Sequence, residues 1–290
     1  MAATTHPRFG EDDNEPAQPL TIEQMYTSTP EGDQFERELE QSLHPRSSDM
    51  LLDMVREAGL PPEPKIIDVG CGYGYWSCQL AERLGAQVLA IDIVPAAVAG
   101  TIERVKAAGL EGRVVVQQAS IHHIPADSES YDVVWCRDML NHVHNIVPAL
   151  RECYRVVRSG GAMGVFQTFA GELLEPREAE RLYRGQRIVP ENMAPEYVER
   201  AFTEAGFSLV KRDASASEWR EHDVESGNQT VLQRLLQAAR LLRNQDYFVH
   251  TYGRGLYEQA LGDAQWYPFE MLGKLKPIAY LLKKGRVLER

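Results

Sequence analysis

From residue 65 onward, short apolar runs alternate with stretches whose apolar positions recur every three or four residues. That alternation predicts strands joined through helices. The runs at 65–69, 87–91, 113–118, 131–136 and 162–169 read as strands, and 76–84, 95–108 and 146–157 as the helices between them. Gly109 follows the second helix, and Ser159-Gly160-Gly161 is expected to turn the chain into the fifth strand. Strands linked in this way form a parallel sheet with right-handed crossovers. Past Phe169 the rhythm slackens. Residues 195–205 read as a helix closed by Gly206, 207–213 as a sixth strand and 277–282 as a seventh. The expected fold class is α/β, a seven-stranded, mostly parallel sheet with helices on both faces.

The flanks carry a different pattern. Residues 1–20 are rich in Pro, Asp, Glu and Thr and are expected to form a tail without packing of its own. Residues 21–60 place Ile22, Met25, Tyr26, Met50, Leu51, Met54 and Val55 at helical spacing, interrupted by Pro30 and Pro45, which predicts an N-terminal helical lead-in. The core is expected over 61–217. A helical insert over 218–276 carries Trp219, Tyr247, Phe248, His250, Tyr252, Tyr257, Trp266, Tyr267 and Phe269 and would form a lid before the final strand and tail, 277–290.

Composition narrows the function. The formal charge is −11, from 42 acidic and 31 basic residues, which disfavours a general nucleic-acid binder. No apolar run approaches the ~18 residues of a membrane span, and the polar N-terminus lacks the apolar core of a secretory signal. The four cysteines show neither a disulfide framework nor zinc spacing, so a cytoplasmic protein without a metal site is expected.

The chemistry starts at Asp68-Val69-Gly70-Cys71-Gly72-Tyr73-Gly74. The segment follows a strand and opens a helix, where glycines permit a sharp turn and close approach of a ligand to free backbone N–H groups. A dinucleotide fingerprint would need Gly at position 75, which is Tyr here. Asp92 ends the second strand, where a carboxylate can accept both hydroxyls of a ribose.

With IIDVGCGYG (66–74), Asp92 after Ala90-Ile91, QQASIHHIPADSESYDVV (117–134) and LRECYRVVRSGG (150–161) in register, residues 66–169 resemble a class I S-adenosylmethionine-dependent methyltransferase. The likeness is to the small-molecule branch that includes ubiquinone/menaquinone-type and antibiotic O-methyltransferases. It implies a Rossmann-like fold and S-adenosyl-L-methionine as cofactor. Gly70, Cys71 and Gly72 would then line its methionine and ribose part, with Asp68 beneath the loop. Asp92 would hold the ribose diol, Ile93 would lie on the adenine face, and Ser120 and Ile121 would meet the adenine edge. Cys136 and Arg137 would face the methionine end, and Tyr26 would fold over the cofactor.

His142, just past the fourth strand, stands where similar antibiotic-sugar O-methyltransferases have a proposed base. Their fifth-strand Asp is Gln167 here, so a His–Asp pair is not preserved. His144-Asn145 would cap the next helix, and His122 and His123 read as surface residues. The expected function is methyl transfer to a small, fairly apolar metabolite in specialised biosynthesis, with O-methylation slightly favoured over C- or N-methylation. A cofactor-binding protein without methyl transfer and a nicotinamide oxidoreductase are the competing classes. The N-terminal helices and the aromatic insert each offer a surface for self-association.

Overall fold

The computed structural model describes residues 19–285, and the chain divides into two compact units after Leu43. All but the last two residues of the expected N-terminal tail, and residues 286–290, lie outside the described residues. The first unit holds two short helices, α1 (Ile22–Tyr26) and α2 (Pro30–Leu39). Each starts where a threonine hydroxyl accepts a backbone N–H: Thr21 from Gln24 and Thr29 from Gly32.

The second unit carries the sheet. Helix α3 (Met50–Arg56) belongs to it, with Leu51, Leu52, Met54 and Val55 all buried in the core. The alternating elements follow: β1 (Lys65–Val69), α4 (Tyr75–Leu84), β2 (Gln87–Asp92), α5 (Pro95–Ala107), β3 (Val114–Gln118), β4 (Tyr131–Arg137), α6 (Ile146–Val156) and β5 (Val157–Ala170). Then come α7 (Pro176–Gln186), α8 (Pro195–Glu204), β6 (Phe207–Ala214), α9 (Glu218–Glu225), α10 (Thr230–Arg243), α11 (Gln245–Tyr252), α12 (Arg254–Met271) and β7 (Leu275–Lys284). The seven strands lie in the order β3-β2-β1-β4-β5-β7-β6. Strands β1 to β5 pair in parallel, and β7 inserts antiparallel between β5 and β6.

One face of the sheet packs on α6 and α8 through Ile67, Val134, Val165, Leu150 and Phe202. The other packs on α3 and α4 through Ile66, Val133, Trp135, Leu52 and Leu80. Strands buried on both faces explain the unbroken apolar runs in the sequence. At the boundary between β1 and β4 the crossovers change side, which opens a crevice beyond the carboxyl ends of the strands.

Two local expectations change. Helix α6 runs into β5 without a turn. The register steps from Tyr131–Val157 to Val133–Ala162, so Ser159-Gly160-Gly161 lies in an irregularity within β5, with Gly160 at φ +76°. Asn145 does precede α6, but with φ +51° and no side-chain cap bond.

Helix α7 and the 3-10 turn Pro190–Met193 were not expected. Only Leu182 of α7 is buried, so its apolar periodicity is too thin to read. The helix is held by Pro176 in its first turn, by the Glu178 carboxylate accepting the Glu175 N–H at 3.2 Å, and by packing against α12.

Candidate functional site

The loop after β1 is tied to the end of β2. The N–H groups of Gly70 and Cys71 both donate to the Ile91 carbonyl, at 2.8 and 3.0 Å. The Asp92 carboxylate accepts from Gly72 N at 2.9 Å through one oxygen and from Val94 N at 2.9 Å through the other. Gly70 has φ +71°, and a Cβ there would stand 2.3 Å from Met139 Cγ, so a side chain is excluded twice over. At Gly72, φ +55°, the space is open and backbone alone faces the crevice.

Three cavities meet at Arg137. The first, about 530 Å³, is walled by Gly70, Asp92, Ile93, Ser120, Ile121 and Met139, with the exposed His122 and His144 at its margin. Ile93 is 64% exposed, an apolar face offered to the crevice by the end of β2. The second, also about 530 Å³, is walled by Asp68, Gly70, Cys71, Gly72, Trp135, Trp219 and Arg220. The third, about 230 Å³, lies between His142, Asp138, Gln186, Arg234, Asp263, Trp266 and Tyr267. His142 and Asp138 line both the first and the third. A larger cavity of about 810 Å³ opens elsewhere, over the face of β2 and β3, where the β3–β4 link has no helix; it shares no residue with these three.

Two Trp indole nitrogens on the second cavity, Trp135 Nε1 and Trp219 Nε1, are buried without a partner, as is Arg137 Nε. The Arg137 guanidinium lies 5.5 Å from the Trp76 ring centroid and 5.1 Å from that of Phe166. Its carboxylate neighbour is Asp138, at 3.8 Å.

His142 closes a 3-10 turn, Leu140–His142, that is held from beneath by amides. Asn192 Nδ2 donates to the carbonyls of Leu140 (2.6 Å) and Val143 (2.8 Å), and Asn141 Nδ2 donates to Thr168 O. Gln167 is fully buried and donates to Asn192 O at 2.7 Å. Gln167 on the fifth strand thus braces the turn through Asn192. His142 Nδ1 lies 3.4 Å from the carbonyl of Arg187, itself at φ +55° at the end of α7. In the tautomer that donates there, Nε2 keeps the free lone pair.

Asp138 was not singled out from the sequence. It sits at φ +48° and its Oδ1 accepts both the N–H and the hydroxyl of Thr168, at 3.0 and 2.9 Å. The readable signal was a carboxylate four residues before His142, at the end of a central strand.

Cys136 departs from expectation: it is 1% exposed, packs in the core with Ile67 and Val134, and lines none of the three cavities. Burial pushes its thiol well above the usual range. Strand alternation sends Cys136 inward and brings Arg137 to the crevice. Tyr26 lies on α1 in the first unit, and its side chain is exposed.

Of the insert's aromatics, Trp219, Trp266 and Tyr267 reach a cavity wall of the site. Tyr257, Phe269 and Phe248 pack in apolar clusters, and Tyr247 and Tyr252 are exposed.

Burial also pushes the Asp68 carboxyl up, to about 7, against the Ser77 hydroxyl that donates to it at 2.5 Å. Unfolded, the group titrates near ~3.9. Between the two values the folded chain holds a proton that the unfolded chain has released. Its contribution to stability therefore falls as pH rises from about 4 to about 7 and is level above. Asp68→Asn should remove that slope, roughly 1.4 kcal/mol per pH unit. Urea midpoints of both forms at pH 4.5 and 7.5 measure it; parallel shifts in the two proteins would refute it.

Residues 67–165 match the sequence profile of a family described as a methyltransferase domain. Methyltransferase GfsG of Streptomyces halstedii is 33% identical over 101 residues, 35% of this chain and 36% of that protein. A ubiquinone biosynthesis O-methyltransferase of Pseudomonas fluorescens (strain SBW25) is 38% identical over 99 residues, 33% of this chain and 41% of that one. The likeness thus spans about two-fifths or less of these relatives' length. The crystal structure of the [4+2]-cyclase SpnF superposes with a TM-score of 0.64 at 21% identity, over 86% of both chains, and shares the fold. Residues 67–165, which carry the glycine loop closed by Asp92 and the parallel strands of the sheet, are thus similar in sequence to a methyltransferase domain.

Proposed function

We propose that the chain is an enzyme that transfers a methyl group from S-adenosylmethionine to a small molecule. The observation that carries this is the Asp92 carboxylate closing the glycine loop at the mouth of the crevice. The walls fit the cofactor. Open space at Gly72 admits it against the backbone, Asp92 has lone pairs left for a ribose diol, and Ile93 offers an apolar face to a base. Ser120 and Ile121 line the same cavity. The buried donors Trp135 Nε1, Trp219 Nε1 and Arg137 Nε call for oxygen acceptors, which an amino-acid carboxylate has.

Bound there, S-adenosylmethionine supplies an electrophilic methyl group on a sulfonium. The protein's part is alignment of an acceptor in line with it, and positioning of that kind contributes much of the acceleration. His142, between the first and third cavities, takes a proton from the acceptor at Nε2, and the amide bracing of its turn keeps the ring in place. This favours an acceptor hydroxyl or amine. The fairly apolar acceptor expected from the aromatic insert gives way here: charged and amide groups dominate the third cavity, beside Trp266 and Tyr267. Its small volume suits a compact metabolite. A product of specialised biosynthesis is compatible with the likeness to GfsG. The four free, buried thiols suit a reducing cytoplasm.

Calorimetric titration with S-adenosylmethionine, S-adenosylhomocysteine and NADH tests the proposal. Micromolar binding of the two sulfur compounds and none of NADH is expected; the reverse would overturn it. In the same titration Asp92→Ala should weaken S-adenosylhomocysteine by about 1–3 kcal/mol, through lost charge-assisted hydrogen bonds. Unchanged affinity would remove Asp92 from the site.

A further inference from the structure

We infer that the third cavity is an acceptor subsite for an oxyanion, a carboxylate or a phosphate, gripped by Arg234. The inference rests on the methyl-transfer reading and names the class of acceptor. Arg234 projects from α10 onto the cavity wall and is partly buried. Its hydrogen-bond partner is the Gln237 side-chain amide on its own helix, at 3.3 Å, and among the described residues it makes no ion pair.

The setting gives that its meaning. In a chain of net charge −11, several arginines are met by carboxylates, Arg46 by Asp213 and Glu218, Arg184 by Glu258 and Arg220 by Glu270, whereas Arg234, like Arg181 beside Gln265, is met by a side-chain amide. Arg234 lines this cavity and a neighbouring one of about 300 Å³, and a guanidinium without a carboxylate partner suits bidentate capture of a carboxylate or phosphate. Arg137, shared with the other two cavities, also lines this one, with Asp138 3.8 Å away.

Two acids share these walls, and Asp263 also lines the neighbouring cavity together with Arg234. Asp138 is anchored to Thr168 on β5, next to His142, and Asp263 is exposed on α12. An acceptor held by its anion at Arg234 therefore presents its hydroxyl or amine at the His142 and Asp138 end, toward the first cavity. Trp266 and Tyr267 add aromatic surface to the same walls, Tyr267 with the Arg220 guanidinium stacked on its ring.

The test uses the full chain saturated with S-adenosylhomocysteine, titrated by calorimetry with phenol, 4-hydroxybenzoate, phenyl phosphate and inorganic phosphate. At least one anionic probe should bind tenfold or more tighter than phenol. Arg234→Gln should abolish that preference without changing phenol binding, and Arg234→Lys should restore part of it. The hydroxybenzoate and phosphate arms tell a carboxylate from a phosphate site. Equal binding of neutral and anionic probes, no binding of any probe, or a preference that survives Arg234→Gln overturns the inference. Failure of S-adenosylhomocysteine itself to bind overturns the underlying reading instead. Circular dichroism of both variants, expected to match the parent, guards against a folding defect.

Discussion

Glu270→Leu, made alone, is expected to cost about 3–5 kcal/mol of stability, while Arg220→Met together with Glu270→Leu recovers most or all of it. Glu270, near the end of α12, is fully buried and ion-pairs with Arg220 Nε of α9. Burial drives its carboxyl upward, against the pull of Arg220. Arg220 is itself 8% exposed, stacks 3.5 Å above the centroid of the Tyr267 ring and reaches Asp223 at 3.2 Å.

Deleting the carboxylate alone strands a buried guanidinium, which has only the more exposed Asp223 left. Deleting both removes the two charges together, so that neither is left buried without its partner. The Thr168 hydroxyl lies 3.4 Å from Glu270 Oε1 and 2.9 Å from Asp138 Oδ1, so the pair connects the insert to the strand that anchors Asp138. Urea unfolding of the two variants and the parent decides it. A single variant as stable as the parent would mean that the pair holds nothing together.

That pair illustrates which parts of the molecule the sequence makes legible. Strands β1, β2 and β4 are buried on both faces, so Ile66-Ile67, Val88-Leu89 and Val133-Val134 stand out as runs whatever surrounds them. The glycine loop is legible for a related reason: the positive φ angles at 70, 72 and 74 demand residues that few other settings demand.

The rest depends on long-range neighbours. Helix α7 buries one side chain and leans on α12, some 80 residues on. His142 is oriented by the Arg187 carbonyl and braced by Asn192, neither of which announces itself locally. Arg234 reads as one more charge on an amphipathic helix until α12 and the turn at His142 close a cavity around it. Cys136 and Arg137 differ only in the parity of their strand position, and a one-residue uncertainty in where β4 ends exchanges their roles.

If the proposed methyl transfer is right, His142→Ala is expected to lower turnover by about 10²-fold or more with any acceptor that is methylated, while S-adenosylhomocysteine affinity stays within a few-fold of the parent. The two halves of that expectation come from different walls. In the proposed site the cofactor contacts fall to the glycine loop, Asp92 and Ile93, which are tied to one another and to the end of β2, whereas the turn of His142 hangs from Asn192, Gln167 and Thr168. Removing the imidazole therefore leaves the hydrogen bonds of the glycine loop in place and takes away the proposed base.

Asp138 is the control. It lines the same two cavities but is pinned through Oδ1 to Thr168, so Asp138→Asn changes charge beside the acceptor without removing a free ring nitrogen. If His142 removes the proton, the loss in the alanine variant shrinks as pH rises toward the acceptor's own ionisation, and Asp138→Asn shows no such recovery. A pH-independent loss, or one below tenfold, would make His142 a positioning residue and leave alignment alone to account for the rate.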